Sequence, residues 1–280
     1  MKNLGYYNGK QGLIEEITVP ITDRAFYFGD GVYDAVMCRN NIPYLLFEHV
    51  NRIFTNAHLL GIVPPLGKEE LMHLIKKLCP LVEGEEKFVY FHISRGSAIR
   101  NHEFTSLKGN LCIMIKPQKI ENIYEKMCLC TQNDIRFQMC NIKTLNLLPS
   151  VLCAQNAKNN KCTEGVFLRD GYVTECSHSN ISILKDGVLI TAPADCHILP
   201  GVTRAHLIDS AKRNGIEVRE EKYTSKELFD ADEIIVTSSS KMARGVKKID
   251  GKSVGGKDEK TLKLLQDEIY NDYLISTKIV

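Results

Sequence analysis

The sequence predicts a two-domain protein that combines α/β and α+β character. The chain has 280 residues, which suits two ordinary domains. In its first part, stretches with strand periodicity alternate with stretches of helical periodicity. In its second part, short apolar strands joined by tight turns indicate a sheet rich in antiparallel pairs. We therefore expect a small N-terminal α/β domain over residues 1–118, a linker over 119–123 and a larger C-terminal domain over 124–280.

The N-terminal domain is predicted from local periodicity. A glycine-containing turn at residues 9–12, followed by alternation over 13–19, predicts an opening hairpin or edge strand. Apolar residues at helical spacing predict a helix over 46–60 with His49 and Arg52 on its flank. The other predicted elements of this domain are a helix over 68–78 and strands over 87–94 and 111–115.

The C-terminal domain is predicted from its turns and helix boundaries. Asp170-Gly171 and Asp186-Gly187 each lie between two apolar runs, and Asp-Gly favours the type I′ turn of a two-residue hairpin. The predicted helices of this domain cover residues 150–159, 203–214 and 258–274. The domain should therefore contain hairpins interrupted by helices.

Composition excludes several classes of function. The 36 Lys and Arg against 34 Asp and Glu give a formal charge of +2, and the basic residues form no block, so we expect no nucleic-acid partner. No apolar run has membrane-spanning length and the first thirty residues contain no signal-peptide pattern, so we expect a cytoplasmic protein without a membrane partner. Ten cysteines in such a chain favour free thiols, and Cys128 and Cys130 lack the second cluster that a metal site needs, so we expect no metal.

Two segments have the composition of a phosphate site. Gly201, Val202 and Thr203 open a predicted helix, where Thr203 can act as the cap and the free N–H groups favour an anion. Residues 237–240 add hydroxyl groups at the end of an apolar strand, and Arg52 could add a charged donor. Each segment alone also fits a capped helix or a polar loop.

Four further side chains could carry chemistry. Lys143 lies in an apolar neighbourhood, where desolvation favours the neutral amine that forms Schiff bases, although a lysine that reaches solvent is the alternative. Glu175 comes just after a predicted strand, and it could be either a surface carboxylate or the partner of a buried cation. If the backbone is extended there, Arg100 and His102 project to the same side and could bind a carboxylate; a solvated loop is the alternative.

The order of these segments along the chain resembles that of one enzyme family. The segments are Phe28-Gly29-Asp30-Gly31-Val32-Tyr33, Glu48-His49-Val50-Asn51-Arg52, Ser94-Arg95-Gly96-Ser97, Lys143-Thr144-Leu145-Asn146, Thr174-Glu175 with Ser177, Ser179 and Asn180, Gly201-Val202-Thr203-Arg204, and Ala231-Asp232-Glu233 with Thr237-Ser238. Together they resemble the fold-type IV pyridoxal-phosphate enzymes, the class IV aminotransferases. The resemblance covers nearly the whole chain.

This resemblance implies a fold, a cofactor and a set of residue roles. The fold would be a small α/β domain and a larger domain with an antiparallel-rich, barrel-like sheet, and the cofactor would be pyridoxal 5′-phosphate. Lys143 would attach the cofactor covalently and act as the catalytic base, and Glu175 would face the pyridine nitrogen. The residues implied for the phosphate are Arg52, Val202, Thr203, Ser238 and Ser239, and Leu199 would pack against the ring.

Within the family, the chain looks most similar to the D-amino-acid transaminases. Tyr33 with Arg100 and His102 resembles the carboxylate trap of that subgroup, in which the arginine and histidine come from the neighbouring subunit of a homodimer. The implied reaction converts D-alanine and 2-oxoglutarate to pyruvate and D-glutamate, with small amino acids and 2-oxo acids as partners. Branched-chain L-amino-acid transaminases, aminodeoxychorismate lyases and a non-catalytic cofactor-binding relative are the alternatives. The positions that depart from the subgroup are Ala35, Met37, His178 and Pro200.

Overall fold

The computed structural model describes residues 1–104 and 108–279. The chain forms two compact units. The first comprises Met1–Lys119, Ile142–Asn146 and Leu274–Val280, and the second comprises Ile120–Asn141 and Leu147–Tyr273. The segment Ile142–Asn146 thus belongs with a unit that is remote from it along the chain, a feature that local periodicity did not indicate. The domain boundaries expected from the sequence remain a prediction.

The first unit contains a six-stranded sheet that is antiparallel throughout. Its strands are β1 (Leu4–Tyr7), β2 (Lys10–Gly12), β3 (Gly31–Arg39), β4 (Ile42–Pro43), β5 (Glu86–Ser94) and β6 (Asn110–Pro117). They lie in the order β2-β1-β6-β5-β3-β4, and every neighbouring pair runs antiparallel. This unit, for which the sequence predicts an α/β domain, combines its helices with an antiparallel sheet and so has α+β character.

The opening hairpin lies earlier in the chain than the sequence predicts. Its turn is Asn8-Gly9, with φ of 45° and 94°, which are the left-handed values of a type I′ turn. Residues 13–19 form no strand, and a 3-10 turn covers Ile14–Glu16. The prediction of a strand there was wrong because Ile17 packs across the hairpin, where its Cγ1 leaves no space for a side chain at Gly5.

The described part of the first unit has three α-helices, of which the second and third pack their apolar faces on one side of this sheet. They are α1 (Arg24–Phe28), α2 (Leu46–Leu59) and α3 (Lys68–Leu78). The predicted apolar stripe of α2 is confirmed, since Val50, Ile53 and Ala57 are buried with the sheet residues Val36 and Phe91 in one core. The helical spacing that formed this stripe also puts His49 and Arg52 on its flank.

The second unit contains a nine-stranded mixed sheet. Its strands are β7 (Met127–Asn133), β8 (Glu164–Arg169), β9 (Tyr172–Cys176), β10 (Asn180–Lys185), β11 (Val188–Thr191), β12 (Glu217–Glu220), β13 (Glu233–Ser238), β14 (Met242–Ile249) and β15 (Lys252–Ser253). The order is β12-β11-β10-β13-β14-β7-β8-β9, with β15 paired to β14. Antiparallel pairs predominate, while β7 pairs in parallel with both β8 and β14, and β11 with β12.

Turns and helices of the second unit agree with the sequence. Asp170, Gly171, Asp186 and Gly187 all have positive φ, which confirms the two predicted hairpins. The helices are α4 (Leu148–Asn159), α5 (Val202–Arg213), α6 (Ser225–Asp230) and α7 (Glu259–Ser276). Of these, α6 was not predicted, because its 6 residues are too few to show a helical period.

Two features concern the whole described chain. The ten cysteines are all free thiols. Within residues 1–104 and 108–279, no helix has both the length and the apolar composition required to cross a membrane.

Gly31→Ala tests how tightly the segment Ile142–Asn146 packs on β3. The added Cβ would lie 2.7 Å from Leu145 Cδ1 and 2.8 Å from the backbone oxygen of Ile93. Because backbone cannot move aside easily, we expect a loss of about 1–3 kcal/mol in the free energy of unfolding, measured by urea titration. Gly12→Ala is the control, since there the nearest atom belongs to the flexible Glu16 side chain. Equal stability of the two variants would contradict this packing.

Candidate active site

Lys143 is positioned by strand-like pairing of its own segment with β3. The backbone N–H of Tyr33 donates to the Lys143 oxygen at 2.9 Å, and the N–H of Leu145 donates to the Gly31 oxygen at 3.0 Å. Ile142 is buried in the core of the first unit and anchors the segment. The Lys143 Nζ lies 4.3 Å from the centre of the Tyr33 ring, and the side chain is half-buried. Lys143 and Tyr33 are therefore brought together, as the resemblance implied for one site.

Tyr33 belongs to an aromatic cluster that the sequence did not reveal. Its ring stacks on Tyr90 of β5 with 5.6 Å between centres, and Tyr90 contacts His92 edge to face. Burial lowers the pKa of His92 to about 4, so this imidazole is neutral at physiological pH. One face of β3 carries Tyr33, Ala35 and Met37, because every second residue of a strand points to the same side, and Met37 is buried. Alternation in β5 was predictable, but only the β3–β5 register shows which aromatic rings meet.

Arg52 is held by a buried carboxylate on the neighbouring strand. Its Nε donates to Asp34 Oδ2 at 2.9 Å and its Nη2 donates to Asp34 Oδ1 at 2.8 Å. His49, one helical turn earlier on α2, lies 2.7 Å from the same carboxylate. Burial by itself raises the pKa of Asp34, but Arg52 and His49 outweigh it and hold this pKa below its ordinary value. Burial also lowers the pKa of His49, against the opposing effect of Asp34.

Arg100 and His102 lie in an exposed loop and share one aromatic neighbour. The guanidinium carbon of Arg100 is 5.1 Å from the centre of the Phe28 ring, and the His102 ring centre is 5.2 Å from it. The buried Arg24 holds the loop backbone, because its Nη1 donates to the Asn101 oxygen at 2.7 Å and its Nη2 to the His102 oxygen at 3.4 Å. The structure thus brings Arg100 and His102 together, and their role in binding a carboxylate stays a prediction.

Glu175 is a buried carboxylate surrounded by donors of the second unit. Its Oε2 accepts from Asn180 Nδ2 and from the backbone N–H of Leu199, both at 3.0 Å. Its Oε1 pairs with Arg136 Nη1. Of the two alternatives left by the sequence, a surface carboxylate and the partner of a buried cation, the structure supports the second. Leu199, the residue expected to pack on a ring, is fixed through its backbone to the same carboxylate.

Sequence reasoning missed the arginine that pairs with Glu175. Arg136 also binds Asp134 with both ends of its guanidinium, through Nε to Oδ1 at 3.0 Å and Nη2 to Oδ2 at 2.9 Å. Its guanidinium lies 4.4 Å from the centre of the Phe167 ring. Burial raises the pKa of Asp134, but Arg136 outweighs this effect and the pKa is lowered. A short Asp-Ile-Arg sequence after β7 has no periodicity, so only the fold shows the partners of its arginine.

The first turn of α5 offers backbone donors that no side chain caps. Its N-cap residue is Gly201, and the helix begins at Val202. The expectation that Thr203 caps the helix was wrong, because Thr203 lies inside the first turn, where it is buried. Uncapped N–H groups at the positive end of a helix dipole favour an anion.

Asn180 connects this helix start to the end of β13. A Cβ on Gly201 would lie 2.0 Å from Asn180 Oδ1, so only glycine fits here. Asn180 also pairs in register with Thr237, which precedes Ser238 and Ser239. The two segments expected to hold phosphate in this unit therefore both adjoin Asn180.

An unsatisfied hydroxyl lies beside the same residues. Thr237 Oγ1 is fully buried and has no hydrogen-bond partner in the part of the chain that the structure describes. A buried hydroxyl without a partner costs free energy, which a bound polar group can recover. The uncapped helix, the glycine that no side chain could replace and this hydroxyl fit a phosphate group.

Comparison with known proteins decides the family. The model of the amino-transferase class IV family matches residues 31–249, well over half of the chain. The chain is a class IV aminotransferase. This aminotransferase is 38% identical over 246 residues to a D-alanine aminotransferase of Listeria monocytogenes serotype 1/2a (strain 10403S), covering 86% of this chain and 85% of the relative.

Solved structures confirm the expected fold of this aminotransferase. The branched-chain amino acid aminotransferase of Escherichia coli superposes with a TM-score of 0.89 at 23% identity, covering 99% of this chain and 97% of that one. The branched-chain aminotransferase of the thermophilic archaeon Thermoproteus uzoniensis, solved with norvaline, gives a TM-score of 0.86 at 22% identity and covers 97% of each chain. At these identities the likeness establishes a shared fold.

Asp34→Asn tests the carboxylate that holds Arg52. Removing one partner of a buried ion pair leaves the other charge uncompensated, so we expect a loss of about 3 kcal/mol in the free energy of unfolding at neutral pH. Because the pKa of Asp34 is lower in the folded protein, its stabilisation is present above the unfolded value of about 4 and is lost as the pH falls. Urea unfolding across acidic pH should show a shallower loss for the variant than for the wild type. Glu48→Gln, an exposed position on α2, is the control, and identical pH profiles for Asp34→Asn and wild type would contradict the assignment.

Arg24→Met tests the support of the loop that carries Arg100. Without the two bonds to carbonyl oxygens, the loop backbone should open more often, and trypsin should cleave after Arg100 several times faster than in the wild type. Arg39→Met removes a more exposed ion pair with Glu85 in the same unit and should leave that rate unchanged. Unaltered cleavage in Arg24→Met, located by mass spectrometry, would show that other contacts hold the loop.

Proposed function

We propose that this aminotransferase uses pyridoxal 5′-phosphate to convert D-alanine and 2-oxoglutarate to pyruvate and D-glutamate. The observation that carries the proposal is the half-buried Lys143 amine, held against Tyr33 by backbone pairing with β3. The preference for D-alanine is supported by the identity to a D-alanine aminotransferase over most of both chains. A cytoplasmic location remains a prediction.

The residues of the second unit suit the ring and phosphate of the cofactor. When bound, pyridoxal phosphate supplies an electron sink for the charge that develops at the substrate Cα. Glu175 would place a negative charge at the ring nitrogen, and the donors from Arg136, Asn180 and Leu199 keep it oriented for that role. Leu199 would pack against the ring.

The phosphate would be held by groups with complementary charge and hydrogen-bonding capacity. Val202 and Thr203 provide the uncapped start of α5, and Ser238 and Ser239 provide hydroxyl and backbone donors at the end of β13. Arg52 would add a guanidinium whose orientation is set by Asp34. A dianion suits this combination of helix dipole and charged donor.

Lys143 would have two duties at its Nζ. It would hold the cofactor covalently and, once free, take up the proton that leaves the substrate Cα. The pairing of its backbone with β3 limits how far the amine can move, so one face of the substrate would exchange its proton. The handedness of the substrate would then depend on where its carboxylate is bound.

The carboxylate would be bound by Tyr33, Arg100 and His102. We propose that two copies of the chain assemble so that Arg100 and His102 of one copy serve the site of the other. Their exposure in a single chain supports this arrangement, as does the exposure of Ile99 (88%) and Phe104 (54%) beside them. Apolar side chains at such positions are commonly covered by a partner.

A half-reaction tests the proposed function directly. The purified protein is loaded with pyridoxal phosphate and mixed with D-alanine or with L-leucine, and the absorbance of the covalently held cofactor is followed. We expect D-alanine alone to bleach it with release of pyruvate, since each half-reaction needs only one substrate. Bleaching by L-leucine alone would favour a branched-chain transaminase, and pyruvate formed only from aminodeoxychorismate would favour a lyase.

Lys143→Ala is the accompanying variant. This variant should not bind pyridoxal phosphate covalently, which borohydride reduction and mass spectrometry would show. Its rate of multiple-turnover transamination should fall by at least three orders of magnitude. Lys116→Ala, an exposed lysine of the same unit, should retain both. Substantial turnover by Lys143→Ala would remove Lys143 from the role of base.

A further inference from the structure

Lys241 is a buried cation in the turn that follows the proposed phosphate residues of β13. Its side chain is 9% exposed, and its Nζ donates to Glu164 Oε2 at 2.7 Å. The same Nζ lies 2.7 Å from His178 Nε2 and 3.5 Å from Ser179 Oγ. Glu164, on β8, is fully buried. Burying a lysine and a glutamate costs desolvation free energy, so we expect this pair to have a role other than stabilising the fold.

The backbone of Lys241 closes the turn that contains the phosphate residues. Its N–H contacts the Ser238 oxygen at 3.3 Å and Ser238 Oγ at 3.2 Å. The backbone of Lys241 therefore holds Ser238, while its side chain fastens the turn to β8. Ser238 cannot move away from β8 without breaking one of these connections.

The same carboxylate also holds the segment between β9 and β10. Glu164 accepts from the backbone N–H of His178 at 2.8 Å, from Ser179 Oγ at 2.9 Å and from Ser177 Oγ at 3.2 Å. This segment begins two residues after Glu175, the residue proposed to face the ring nitrogen. One buried carboxylate thus connects the ring partner and, through Lys241, the phosphate turn.

The protonation of His178 follows from its contact with Lys241. An ammonium group can only donate, so His178 Nε2 must be the acceptor and the ring proton must lie on Nδ1. There it faces Ser177 Oγ at 2.9 Å and Glu164 Oε1 at 3.2 Å. The His178 ring is therefore contacted at both nitrogens, by Lys241 at Nε2 and by Ser177 and Glu164 at Nδ1.

We propose that Lys241 is a positioning residue for the cofactor phosphate. By joining the turn of Ser238 to Glu164 and His178, it sets the separation between the groups that hold the phosphate and the carboxylate that faces the ring. The proposal rests on the proposed function, because it requires that pyridoxal phosphate bind to these residues. The proposal involves Lys241 and its neighbour His178. His178 is one of the positions at which this chain departs from the pattern of the D-amino-acid transaminases.

The primary test measures the dissociation constant of pyridoxal phosphate for Lys241→Met. We expect at least a tenfold increase over the wild type, while Lys247→Met, an exposed lysine on the next strand, stays within twofold. Tight covalent binding by the wild type together with unchanged binding by Lys241→Met would overturn the proposal and leave the proposed function intact. Absence of binding by the wild type would instead overturn the proposed function itself.

A double variant separates positioning from simple charge neutralisation. Lys241→Met alone leaves Glu164 buried without its cation, which lowers stability by itself. Lys241→Met combined with Glu164→Gln removes both charges and should recover thermal stability, while the dissociation constant stays raised because no bond joins the turn to β8. Recovery of cofactor affinity together with stability would overturn the proposal.

NMR of the protein without cofactor supplies a readout that is independent of activity. The ring nitrogens of His178, assigned by comparison with His178→Gln, should show the Nδ1–H tautomer in the wild type. Lys241→Met removes the donor to Nε2, so the Nε2 resonance should lose the signature of a hydrogen-bonded acceptor, while Ser177 and Glu164 still face Nδ1. A wild-type ring protonated at Nε2 would contradict the arrangement on which the proposal depends.

Discussion

The backbone pairing between Ile142–Asn146 and β3 is the constraint on which the candidate site depends. Two hydrogen bonds fix the segment to Gly31 and Tyr33, and the buried Ile142 fixes it to the core of the first unit. A lysine side chain has four rotatable bonds, and holding it by neighbours alone would cost considerable entropy. Here the sheet fixes its backbone, and the amine of Lys143 lies 4.3 Å from the centre of the Tyr33 ring.

In each unit, buried carboxylates hold cations of other elements in place. Asp34 orients Arg52, Glu175 pairs with Arg136, and Glu164 pairs with Lys241. Each carboxylate lies on a strand or at its first residue, whereas its cation comes from another element. Because an unpaired buried charge is costly, each pair specifies one arrangement of the two elements. The sheets thus provide the buried carboxylates, and a helix, a loop and a turn carry the cations that pair with them.

The sequence correctly predicted the helices and turns that depend on local interactions. The periodicity of α2 and α3 is confirmed because an apolar stripe at helical spacing needs only one packed surface to form a helix. The Asp-Gly hairpins are confirmed because positive φ at two consecutive positions strongly restricts the residue types. The first hairpin turns at Asn8-Gly9, and residues 13–19 form no strand despite their alternation, because the packing of Ile17 across Gly5 cannot be read locally.

The sequence by itself determined the family and the fold class, because these depend on residue types and on their order along the chain. Only the tertiary structure decided which groups surround the candidate site residues. Tyr90 and His92 meet Tyr33 through strand register, Arg136 reaches Glu175 from a loop without periodicity, and Lys241 reaches Glu164 over 77 residues of chain. Such contacts depend on long-range pairing, which leaves no periodic trace in the segments that make them.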